Sequence, residues 1–225
     1  MKKILFIALI LTFLGFLLYW GTEMYQFAGG VKEGAQRLQQ FKLTKEIQNG
    51  DIIFQTSKSS QSKAIQLATN SRYSHMGIIY EIDEQLFVFE AIQPVKLTPF
   101  NKWVNRGENG HYVIKRLRNS NEILTQATLK KMKQVGEKFK GKNYDLYFEW
   151  SDDKIYCSEL VWKIYKEAAH IEIGELEQLS DFDLSNKIVQ SKMKERYGNK
   201  IPMDEKVISP AEMFESDKLI TVFQN

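Results

Sequence analysis

The sequence predicts an α+β domain, an antiparallel sheet packed against helices, preceded by an N-terminal hydrophobic helix. Three observations carry this. Short apolar runs flank turn-forming residues, as in SHMGIIYEIDEQLFVFEAI (74–92), the pattern of antiparallel β-structure. Two later segments repeat apolar residues at three- and four-residue spacing, the pattern of amphipathic helices. Residues 4–20 form an apolar run broken only by Thr12 and Gly15.

That run follows Lys2 and Lys3. A helix of roughly 17–25 such residues crosses a bilayer, and basic residues ahead of it stay on the cytoplasmic side. Residues 1–22 therefore read as a signal anchor or a signal peptide. The run is longer than a typical cleaved core, and no small-x-small site follows it directly. No cysteine follows it either, which excludes a lipoprotein anchor. The expected location is the cell envelope, with the domain anchored outside the cytoplasm or exported after cleavage.

Residues 23–47 are polar and charged and read as a linker, leaving 48–225 as one folded domain. With 225 residues, 43% of them hydrophobic, the chain is long enough for a sizeable core. Its 31 basic and 28 acidic residues are mixed along the chain, with no basic run, so nucleic acid is not an expected partner. There are no internal repeats or low-complexity segments.

The domain opens with NGDIIFQT, a turn followed by a strand over Ile52–Phe54. SSQSKAIQLATNS favours a short helix capped by a serine hydroxyl. The hairpin 74–92 follows, with its turn near Asp83, and then the strand HYVIKRL. Leu129, Met132, Val135 and Phe139 mark an amphipathic helix over 125–138, stopped near Gly141. KNYDLYFEWSDDK is an aromatic-rich loop. The next helix begins in YCSELVWKIYKEAA, with Leu160, Val161, Ile164, Tyr165 and Ala168 as its stripe. Residues 172–200 are charged and partly helical, a lid or a surface excursion. VISPAEMFESDKLITVF returns to turn, helix and strand, with Pro210 at the first helical position.

Cys157 is the only cysteine. It stands at a helix start, where unpaired N–H groups and partial positive charge favour a thiolate. An imidazolium beside it would complete a nucleophile. His170 lies on the same helix but about 20 Å on, at 1.5 Å per residue. His111 follows the loop RGENG and reads as a loop residue. His75 begins the hairpin, and a turn near Asp83 puts Glu90 opposite it or within one residue. A carboxylate inside FVFEAI needs a partner, and orienting an imidazole is one such role. On the residues alone a buried, inert Cys157 stays open beside this triad.

GDIIFQ, SHMGIIYE, VFEAI, YDLYFEWSDDKIYCSELVWKIY and ISPAEMFES occur in the order and spacing that resemble the YiiX-like proteins, circularly permuted members of the NlpC superfamily of papain-like enzymes. The resemblance spans 48–223. It implies a circularly permuted papain-like core with Cys157 as nucleophile, His75 as general base and Glu90 as third polar residue. Asp51 and Tyr156 match further motif positions and stand as substrate-side candidates. Asp51 alternatively bonds turn amides, and Tyr156 alternatively packs. The N-terminal run and the excursion at 172–205 depart from the pattern.

The expected activity is hydrolysis of an amide through a thioester, with a peptide or acyl-amide as substrate. An envelope location makes peptidoglycan stem peptides accessible. The alternatives are a lipid acyl hydrolase or acyltransferase using the same three residues, and a non-catalytic binding module, which has no need of all three. No metal or other cofactor is expected, because no His/Cys/Asp cluster has ligand spacing. The sequence does not indicate an oligomeric state.

Overall fold

The computed structural model describes residues 20–22, 24–25, 28–29 and 46–225. The apolar run 4–20 lies outside them save for Trp20, as does most of the linker. Among the described residues no helix is long and apolar enough to cross a membrane.

Residues 47–225 form one compact unit. In chain order its main elements are β1 (Ile52–Gln55), α1 (Ser62–Ala68), β2 (His75–Ile82), β3 (Gln85–Glu90), β4 (Lys96–Pro99), α2 (Phe100–Val104), β5 (Val113–Leu117), α3 (Ser120–Ile123) and α4 (Gln126–Phe139). There follow α5 (Cys157–Ala169), β6 (Glu177–Gln178), α6 (Lys187–Tyr197), β7 (Lys206–Val207), α7 (Pro210–Glu215) and β8 (Leu219–Gln224). The strands β4-β3-β2-β1-β5-β8 make one antiparallel sheet, and β6 pairs with β7 apart from it. Helices on an antiparallel sheet are the α+β arrangement the patterning predicts.

The alternation of β1 and β2 decides which face each residue serves. Ile52, Phe54, Met76 and Ile78 point to one face and join Leu160, Val161, Ile164 and Tyr165 of α5 in the main core. Each of these is fully or almost fully buried, worth about 1.5–3 kcal/mol per large apolar side chain. α5 lies along β2, and α4 lies against α5. This packing fixes where α5 begins, beside the start of β2. Gln55 and His75 are paired across β1 and β2 and share the opposite face, where the His75 and Trp103 rings stack at 5.8 Å.

The hairpin turn centres between Asp83 and Glu84, both with positive φ (50° and 61°), the two-residue geometry whose twist suits a hairpin. Ile78 then faces Phe89, and continuing that register sets Glu90 across from Gly77. Glu90 is thus two residues from the position opposite His75, where the sequence put it at most one away. Both residues still share a face, and the diagonal is within reach of long side chains. Gly77 keeps it open: a Cβ there would lie 2.5 Å from Val88 Cγ1 and 2.8 Å from the Phe89 carbonyl oxygen.

β4, α2 and α3 are not marked by the sequence pattern, being four or five residues each. The charged stretch beyond 172 is ordered by few apolar anchors. Leu179, Val189 and Met193 are buried together, with Leu67, Phe182 and Leu184 against them, so α6 rests on α1.

Candidate active site

Cys157 is the first residue of α5 and is 2% exposed. Tyr156, the preceding cap residue, is extended (φ −102°, ψ 170°), which frees the first helical N–H groups. Its hydroxyl accepts the Ile208 N–H (3.1 Å), and Ser158 Oγ donates to the Ile208 carbonyl (2.7 Å). These two bonds tie the chain ahead of α7 to the start of α5. The N–H groups of Met76 and Ser158 reach the Cys157 sulfur.

His75 joins that sulfur to Glu90. Its Nε2 is 2.6 Å from Glu90 Oε2, and the ring also hydrogen-bonds the Cys157 side chain. Burial disfavours the imidazolium, but the bonds to Cys157 and Glu90 and their negative charge outweigh it, raising His75 to about 9. Burial likewise pushes the thiol up, yet the His75 bond and charge and the Met76 and Ser158 amides hold it below its ordinary value. For Glu90, burial is again outweighed, here by His75, Arg106 and Thr98, and its carboxyl is lowered. The three groups stand in series, and the directions of their shifts favour the charged form of each.

Glu90 is fully buried, and its other oxygen takes two donors, the Thr98 hydroxyl (2.6 Å) and the Arg106 guanidinium. β4 and the segment after α2 supply them. Three donors, His75, Thr98 and Arg106, account for a carboxylate in an apolar strand. Replacing Glu90 by Gln leaves one carbonyl-type oxygen for three donors and turns an amide NH₂ on Arg106 or His75. Expected is a loss of about 1–3 kcal/mol in urea unfolding and measurable residual activity. The linkage has a definite sign. Glu90's contribution is present above its ordinary 4.5 and is lost as pH falls. That of His75 is present below 6.5 and is lost as pH rises through about 9.

Two cavities meet at this line. A polar cleft reaches His75, walled by Gln55, Ser57, Ser74, Gln93 and Arg106. An apolar pocket reaches Cys157, between Ile65 and Ala68 of α1 and Val189 and Met193 of α6. Gln61 and Tyr144 line both and divide them. Tyr144 opens the aromatic loop, and its hydroxyl accepts from Gln61 Nε2 (3.0 Å) and is placed to interact with the Cys157 thiol. Asp145 folds the loop by accepting the Tyr147 and Glu149 N–H groups (2.8 and 2.6 Å).

Of the residues singled out in the sequence, Cys157, His75 and Glu90 are brought together. Tyr156 is adjacent and borders the apolar pocket, but its hydroxyl is used on Ile208. Asp51 as a substrate-side residue is corrected. Its buried carboxylate is closed by both arms of the Arg116 guanidinium (2.7 Å each) and the Gln48 N–H (2.8 Å), and it borders neither cavity. This is the turn-amide role left open above. His111 bonds the Asn225 carbonyl (2.7 Å), and His170 ends α5 in a left-handed conformation, φ 58°. Tyr144, Gln61, Thr98, Trp103 and Arg106 were not singled out. The aromatic loop was the sole hint of Tyr144, and the others converge only through the fold.

The sequence and the fold have counterparts in known proteins. A family described as permuted papain-like amidase enzyme, YaeF/YiiX, C92 family, matches residues 46–223. Uncharacterized protein YiiX of Escherichia coli (strain K12) is 49% identical over 175 residues, covering 78% of this chain and 85% of that one. The crystal structure of metalloprotein yiiX from Escherichia coli O157:H7 is similar with a TM-score of 0.76 at 48% identity, covering 80% of this chain and 98% of that one. Among the described residues of this chain no three His, Cys, Asp or Glu side chains are grouped to hold a metal ion. The one candidate line, Cys157–His75–Glu90, has its imidazole between the other two members, so it does not converge on a point.

Proposed function

The chain belongs to the permuted papain-like amidases of the YaeF/YiiX family, and from that premise we propose that it hydrolyses amides through a thioester on Cys157. The observation that carries this reading is the His75 ring bonded on one side to the thiol and on the other to buried Glu90. The thiolate adds to the carbonyl carbon, and the oxyanion takes the Cys157 N–H and the Tyr144 hydroxyl. The C–N bond then breaks as His75 protonates the departing amine. Water, losing its proton to His75, adds to the thioester, and the acid leaves as Cys157 is restored.

The cavities give the substrate a direction. The departing amine has to lie within reach of His75, on the side of the polar cleft, and the acyl part lies toward the apolar pocket. The polar side chains of the cleft beside His75 support a peptidoglycan stem peptide as the first reading. The apolar pocket at Cys157 supports a second reading, a lipid acyl-amide whose chain enters under α6. Purified protein and its Cys157→Ala variant, given stem peptides and N-acyl amines of rising chain length, separate the two. Cys157-dependent cleavage of peptides alone supports the first, and kcat/KM rising with chain length supports the second. Hydrolysis of neither overturns the amidase reading.

The envelope location rests on the pattern of residues 1–22. Cell fractionation is expected to recover the protein with membranes, its domain open to protease from the outer side. A cytosolic fraction would refute this.

A further inference from the structure

α6 does more than roof the apolar pocket. In its last turn Arg196 donates to Gln61 Oε1 at 2.6 Å, with its guanidinium 4.9 Å over the Phe148 ring. Gln61, and not the serine the sequence suggested, holds the N-cap position of α1; its side chain makes no capping bond, and its Nε2 donates to the Tyr144 hydroxyl at 3.0 Å. Tyr144 and Cys157 line the same pocket, with the phenol placed to interact with the thiol. The sense of each link follows from the first. A guanidinium only donates, so it fixes the carboxamide with oxygen toward α6 and NH₂ toward Tyr144. The phenol oxygen therefore accepts from Gln61, and its single proton is left for the sulfur or for an oxygen forming beside it.

We infer that Arg196 is a positioning residue, which holds the Gln61 carboxamide in one sense and so keeps the Tyr144 proton aimed at the reacting centre. The excursion that contributes α6 is then a working part of the site. This rests on the amidase reading for its catalytic consequence, and the tests are chosen to separate the two.

Gln61→Glu is the sharpest variant. It is nearly isosteric and keeps the bond from Arg196, but a carboxylate accepts on both sides and draws the Tyr144 proton to itself. Expected is a fall in kcat matching that of Tyr144→Phe, on the order of 10²-fold, with no loss of melting temperature. Arg196→Met keeps the packing on Phe148 and frees the carboxamide to flip. It is expected to lower kcat about tenfold with KM within about twofold, and Arg196→Lys, retaining a donor, to recover most of that. In a Tyr144→Phe background Arg196→Met is expected to add nothing. Wild-type kcat in Gln61→Glu, or additive losses in the double variant, would overturn the inference.

A substrate-free measurement runs beside these. The pH midpoint of Cys157 alkylation is expected to rise in Arg196→Met and to be unmoved by that change once Tyr144 is Phe. If no amide is hydrolysed, the amidase reading falls while this midpoint still decides the relay. Equal shifts in both backgrounds would sink it.

Discussion

Replacing His75 by Ala is expected to lower kcat/KM by at least about 10³-fold, with Cys157→Ala inactive and His111→Ala and His170→Ala within about twofold of wild type. The size follows from what the imidazole does in the proposed cycle. It keeps the thiol ionised, protonates the amine and deprotonates the water, and no second base stands in the line Cys157–His75–Glu90. His111 is spent on the Asn225 carbonyl, and His170 is at the far end of α5. A loss in either control equal to that of His75→Ala, with the circular dichroism unchanged, would reassign the base. Glu90→Gln falls between, because it orients the ring and carries no proton.

The second large effect is in the thiol itself. At pH 6 an ordinary thiol near pKa 8.5 is ionised to less than about 1%. Cys157, held below its ordinary value by His75 and two amides, is expected to react with iodoacetamide at least about tenfold faster than free cysteine there. The gain is smaller than the thiolate fraction alone implies, since a less basic thiolate is a weaker nucleophile. In His75→Ala the advantage is expected to vanish. The pH profile of kcat/KM carries the same information at its other end. Activity falls as His75 loses its proton, so the alkaline limb is expected near its value of about 9. Labelling at the rate of free cysteine would remove the ground for catalysis by Cys157.

Much of the fold was legible because its period is legible. The strands of the hairpin and the helices of Leu129–Phe139 and Leu160–Ala168 follow from apolar spacing, and Cys157 at a helix start follows from the same stripe. The pairing of His75 with Glu90 followed from the hairpin, with the diagonal two residues off because the turn falls between Asp83 and Glu84. What was not legible is what needs distant segments to meet. Thr98 and Arg106 reach Glu90 from elements too short to show a period. Gln61 and Tyr144 are separated by 83 residues, and Gln61 and Arg196 by 135. Asp51 was misplaced for a related reason: a motif position reports that a residue is needed, not whether substrate or Arg116 needs it.

Gly77 shows how such a need looks from outside. It carries no functional group and touches no cavity, yet a single added methyl would meet Val88 and the Phe89 carbonyl and spread β2 from β3 where His75 reaches diagonally to Glu90. A saturation screen scored on activity would therefore rank position 77 among the least tolerant in the chain, alongside the residues that handle protons. Tolerance maps of this protein would enlarge the apparent active site by one residue whose whole contribution is the space it leaves empty.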